Sequence, residues 1–176
     1  MKKMLSRKSR QGGYSLVELG IVLLIIAVIL AVVIGKSYFA KSTANAQTEQ
    51  STLVQIIGAT PNFKGSYGTP GSYGAAGTNL VGSLVTGKVI PPNYSTTATT
   101  ITNSWGGAIT LVSTGPGFTL TDAGLPDDIC LSIVSAINNS GGNNGSITTK
   151  INGAAFTNAT TQCTGGSDSI SFTSAN

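Results

Sequence analysis

The chain is 176 residues long, enough for one domain and an appendage, and carries a formal charge of +4 with no histidine. Lys2, Lys3, Arg7, Lys8 and Arg10 supply half of the ten basic residues, and the remaining 163 residues carry five bases against six acids. The body therefore lacks the clustered basic field that nucleic-acid binding needs. The missing histidine removes Ser-His-Asp and Cys-His nucleophilic sites, the commonest general base and the commonest metal ligand. These exclusions predict a protein that is not an enzyme and takes no cofactor or metal.

Only 9% of residues are charged, and polarity comes instead from Ser, Thr, Asn and 23 glycines. A neutral, hydrogen-bonding surface suits an extracellular protein that touches many copies of itself better than a cytosolic one kept apart by charge.

After the basic stretch, residues 19–34 (LGIVLLIIAVILAVVI) are free of charge. Three readings compete: a secretory signal peptide, a signal anchor and a processed membrane precursor. A signal peptidase site should lie a few residues beyond the apolar core. The nearest small-x-small triplet, Ala44-Asn45-Ala46, is well past Ile34. An anchor needs about 20 apolar residues, which Tyr14 to Ile34 supplies if Ser15 and Glu18 are tolerated. Glu18 is the odd residue, because a carboxylate in a membrane segment costs about 2.5–3.5 kcal/mol at the bilayer centre and asks for a partner.

Gly12-Gly13-Tyr14-Ser15-Leu16-Val17-Glu18 resembles the class III signal of type IV prepilins, with a basic leader, glycine at the junction, glutamate five residues on and an apolar run directly after. The resemblance implies that a membrane prepilin peptidase cuts between Gly13 and Tyr14. It also implies that Glu18 pairs with the new α-amine of Tyr14 on a neighbouring subunit during assembly. In apolar surroundings such a pair offsets two burial costs, and losing one partner leaves about 3–5 kcal/mol uncompensated.

Beyond the apolar run, helix-tolerant residues continue to Ile57, with Tyr38, Leu53, Ile56 and Ile57 as apolar contacts, and Gly58 with Pro61 is a stop signal. Gly35 marks either a bend or a close helix contact. The Gly/Tyr/Pro-rich stretch 58–92 is expected to be an ordered loop packed on the head, with a short helix. Trp105–Ser113 and Phe118–Thr121 alternate around Gly115-Pro116-Gly117 and predict a hairpin. Pro126-Asp127-Asp128 opens a helix, since proline suits its first position and carboxylates oppose its positive end. Ile129, Cys130, Ile133, Val134 and Ile137 form that helix's apolar face, and Asn138–Gly145 ends it. Ser146–Ile151 and Ser169–Thr173 are two further strands.

Cys130 and Cys163 are the two cysteines, in no CxxC pattern. In an exported chain they form one disulfide, tying the second helix to the loop before the last strand; in a cytoplasmic chain they stay free thiols.

The order of long helix, loop, Asn103-Ser104-Trp105-Gly106-Gly107 strand, Leu125-Pro126-Asp127-Asp128-Ile129-Cys130 helix and late Cys163 is similar to type IVb pilins of the PilS-like group. The resemblance implies an α+β pilin fold, a long N-terminal α-helix packed on a twisted antiparallel sheet. Its layout is a leader at 1–13, a helix at 14–57 (14–34 for membrane and assembly) and a globular head at 58–176. The implied function is a structural pilus subunit, held in the inner membrane as a single-pass precursor and polymerised outside the cell. Its implied partners are itself, the prepilin peptidase and the assembly platform with its ATPase. A minor pilin or a type II secretion pseudopilin is the alternative. Asp122, Asp127 and Asp128 suggest a calcium site only weakly, because helix capping accounts for two of them. Asn144-Gly145-Ser146 and Asn158-Ala159-Thr160 match glycosylation acceptors by chance in an Asn/Thr-rich chain, and the run Thr96–Thr100 reads as solvated loop.

Overall fold

The computed structural model describes residues 16–67, 70–139 and 147–175, with the side chains of 16–18, 31–42 and 138–139 left out. The protein is α+β, with one seven-stranded, wholly antiparallel sheet and a few helices. It divides into two units, residues 1–42 and Thr43–Asn176.

Helix α1 is assigned over Leu16–Ala59 and passes into a 3₁₀ turn, Thr60–Phe63, with Pro61 at its start. Proline lacks the amide hydrogen and carries a ring that blocks further α-helical turns, so the stop falls two residues later than Ile57. In the first unit, the described side chains are those of 19–30. Among the described residues, no helix is long and apolar enough to cross a membrane. The expected segment 14–34 extends to both sides of 19–30.

In the second unit, Ala46, Glu49, Thr52, Leu53 and Ile56 of α1 are buried, a spacing of three and four that puts them on one helical face. The described part of the loop after α1 packs on the head, as expected: Tyr73 is fully buried edge-on to Phe118, and α2, Val81–Thr86, buries Val81 and Leu84.

The sheet is built from β1 (Ser95–Thr96), β2 (Ile101–Thr102), β3 (Ala108–Ser113), β4 (Phe118–Leu125), β5 (Ile147–Ile151), β6 (Ala154–Ala155) and β7 (Asp168–Ser174). Its order is β1-β2-β3-β4-β7-β5-β6. The predicted hairpin is β3 with β4, paired from Ile109↔Asp122 to Ser113↔Phe118. It differs at both ends. Trp105 stays in the turn before β3, because Gly106 takes a left-handed φ of 84° and Asn103 Oδ1 accepts from the backbone of Trp105 and Gly107. β4 runs on to Leu125 through a register shift after Asp122, where Gly124 adopts φ 73°. Gly107 is required by contact: a Cβ there would sit 1.7 Å from the Ala123 carbonyl oxygen.

Helix α3, Asp127–Asn139, begins directly after Pro126 and buries the expected face, Ile129, Cys130, Ile133, Val134 and Ile137. Of the stretch predicted to end it, Asn138 and Asn139 are still helical, and 140–145 lie outside the described residues. The segment between β5 and β7 holds β6 and a one-turn helix, α4 (Ala159–Gln162), which Asn158 caps by accepting from the Thr160 amide. One core joins Leu53 and Ile56 of α1 to Ile109, Leu111, Leu120, Ile170 and Phe172 of the sheet and to the α3 face.

Candidate functional site

Gly13 and Tyr14, the expected cleavage site, lie outside the described residues. Glu18 falls within the range of α1, but its side chain is likewise outside them. The structure thus neither unites nor separates the Tyr14 and Glu18 of the expected assembly pair.

The segment directly after them can be described. From Leu19 to Leu30 every large apolar side chain is exposed, from 44% at Val22 to 65% at Leu24, and none of the twelve residues is charged. Isolated exposed apolar residues are ordinary on protein surfaces, whereas a contiguous patch marks a surface that something else covers. Exposure falls all around the helix rather than along one stripe, as in an element surrounded by apolar matter.

Cys130 and Cys163 are joined, with Cα atoms 5.7 Å apart. The bridge fastens α3 to the residue that ends α4, as the sequence led one to expect for an exported chain. Two carboxylates beside it are held by hydrogen bonds. Asp127 Oδ1 accepts from the Gly166 amide, and Asp168 Oδ1 accepts from Asn152 Nδ2. Asp168 is fully buried within 4.8 Å of both sulfurs, and its Oδ2 has no hydrogen-bond partner. Because the sulfurs are bonded to each other, this grouping presents no pair of thiolates to a metal. The three acids weighed for calcium do not converge either: Asp122 is buried in β4, while Asp127 is engaged at the start of α3.

Sequence reasoning missed a second buried acid cluster. Glu49 on α1 and Asp122 on β4 are both fully buried. Glu49 Oε2 accepts from the Tyr94 hydroxyl at 3.0 Å, and Asp122 Oδ1 accepts from Asn103 Nδ2 at 2.8 Å. The second oxygen of each, Glu49 Oε1 and Asp122 Oδ2, has no partner. Burial pushes the Asp122 carboxyl up to about 8, with the charge of Glu49 adding to the rise and Asn103 opposing it. Burial also raises Glu49, against the bonds from Tyr94 and the Ser104 backbone. Both residues were findable by periodicity. Glu49 lies four and seven positions before Leu53 and Ile56, and Asp122 alternates with Leu120 and Phe118, so each occupies a core-facing place in its element.

A shallow polar cleft opens beside this cluster, lined by Asn93, Tyr94, Ser95, Thr102, Asn103 and Ser104. Two of its walls, Tyr94 and Asn103, are the side chains that hold the acids.

Comparison with known proteins gives no match to a characterised protein and none to a solved structure. A family model, PilS N terminal, matches residues 43–175, nearly the whole of the second compact unit and about three quarters of the sequence. The chain belongs to the PilS N-terminal family and is a type IV pilin-related protein.

Proposed function

We propose that the chain is the structural subunit of a type IVb pilus, made as an inner-membrane prepilin, cut between Gly13 and Tyr14 and polymerised into an extracellular filament for adhesion, aggregation or mating contact. The observation that carries this reading is the uncharged, wholly exposed apolar surface of residues 19–30. Burying those exposed apolar side chains is strongly favourable, at about 25 cal/mol per Å². Lipid covers it before assembly and other copies cover it afterwards. The α1 helix is then the filament core in its first half and the spine of the head in its second. The leader 1–13 keeps its five positive charges on the cytoplasmic side until the peptidase removes them, in keeping with the inward retention of basic flanks.

Glu18 selects register in this scheme, because it is satisfied only where the α-amine of a neighbouring Tyr14 meets it. The head contributes contact surface, stapled by Cys130–Cys163, and no catalysis. The assembly platform and its ATPase supply the work of extraction from the membrane.

Filaments sheared from cells that make the wild-type chain should contain a subunit beginning at Tyr14 by mass spectrometry, in high copy for a major pilin and low copy for a minor one. Glu18→Ala should insert and be cleaved yet leave the mature subunit in the membrane. A wild-type ratio of sheared to membrane-retained subunit in Glu18→Ala would remove the assembly role from that residue. A wild-type mature N-terminus elsewhere than Tyr14 would refute the prepilin reading itself.

A further inference from the structure

We propose that Glu49 and Asp122 form a proton-operated clasp, in which a proton carried by the pair of buried carboxyls keeps residues 43–59 of α1 and the segment 91–107 seated on β4. The two acids come from different elements, and each grips the same segment. Glu49 on α1 holds Tyr94 at its start, and Asp122 on β4 holds Asn103 near its end. Between these points lies the small β1–β2 hairpin. Asn103 Nδ2 also donates to the Ala123 carbonyl oxygen, so the segment is pinned to β4 twice.

Two ionised carboxylates cannot both stay buried here without compensation. Among the described residues the groups acting on the pair are Tyr94, Asn103 and the Ser104 backbone, with Thr52 bonded to Tyr94, and no cationic side chain is among them. Of these only Tyr94 titrates, and burial moves it further above neutrality, so it remains a neutral donor. Each acid also leaves one buried oxygen without a partner. An unpartnered oxygen is far cheaper to bury on a neutral carboxyl than on an anion. A proton is the smallest neutraliser. Metal ions favour sites with more ligands, and among the described residues the grouping of three potential ligands that occurs is at the disulfide, not here. Tyr94 and Asn103, the side chains that bond the two acids, also line the cleft.

The sign of the pH dependence follows from linkage. Asp122 holds its proton more tightly folded than unfolded, so the clasp is tightest in mild acid. It weakens as pH rises from the ordinary carboxyl range near 4 toward about 8, and is unchanged further up. Across that interval the opening equilibrium of the clasped segment grows by up to about tenfold per pH unit for one linked proton.

The test uses the full chain in detergent micelles between pH 5 and 9.5. Infrared spectra should show a protonated-carboxyl C=O band at pH 6 that fades near pH 8 and is lost in Asp122→Asn. Hydrogen exchange of residues 91–107, corrected for its intrinsic pH dependence, should speed up steeply from pH 5.5 to 8 in the wild type. Asp122→Asn, a permanently neutral near-isostere, should flatten that profile. Should the variant not fold, the wild-type band and exchange profile decide alone. Absence of the band at pH 6, or a flat wild-type profile, overturns the clasp. So does protection of 91–107 by sodium or calcium chloride with no band present, which would make the neutraliser a cation.

Discussion

Along α1, residues 19–30 hold only apolar side chains and one glycine and leave them exposed, whereas residues 43–59 bury Glu49 and Thr52 beside Leu53 and Ile56. Polarity and burial run in opposite senses at the two places. In the second stretch a core has closed over the helix, and its polar atoms had to be bonded or neutralised within the same chain. In the first stretch, on the proposed pilus reading, the cover comes from lipid or from another copy. Where apolar side chains stay uncovered in one copy, the lesson is to ask what a second molecule or a lipid would add; where acids are covered, it is to ask what neutralises them.

The contrast can be broken in the head. Removing the bridge with Cys130→Ser and Cys163→Ser together should cost about 3–4 kcal/mol, the unfolded-chain entropy of a loop closed over 33 residues of separation. Thermal unfolding of the full chain would register this as a large drop in midpoint, with residues 19–30 chemically untouched. Next in size, Leu53→Ala removes a fully buried side chain from the shared core and should cost about 2–5 kcal/mol. The same scan measures it, and a loss below about 1 kcal/mol would mean that α1 contributes little to the head's core.

The smallest change in stability sharpens the contrast most. Leu24→Ala cuts back the most exposed of the large apolar side chains in the first stretch, and head unfolding should shift by no more than about 0.5 kcal/mol. On the proposed pilus reading its sheared-filament yield should nevertheless fall, because there the lost contact is between copies. A variant that unfolds earlier and still assembles normally would reverse the assignment of the two stretches.

Much of the head was legible because its period is clean. The alternation through Ile109, Leu111, Phe118 and Leu120 placed the central hairpin, and Pro126-Asp127-Asp128 placed α3 together with its buried face. The pieces that escaped are short: β1, β2 and β6 have two residues each and α4 has four, too few for any period to register. These exist because neighbours pair with them. Glu49 and Asp122 escaped for another reason. An acid is read as a surface residue by default, yet their positions on a helical face and on an alternating strand both pointed inward. The processing and assembly residues Gly13, Tyr14 and Glu18 rest on their pattern in the sequence, since their side chains are outside the described structure.

The place of β7 in the sheet has a consequence for timing. Residues 168–174 form the last strand in chain order but lie third from one edge, hydrogen-bonded to β4 on one side and β5 on the other. Until Ser174 has been delivered, β1–β4 and β5–β6 are two separate ribbons with unpaired inner edges, and neither can close over the core. Such non-local pairing carries a high loop-closure cost and folds slowly. A chain delivered from its N-terminal side would thus stay pliable through most of its emergence and lock only when this strand slots in.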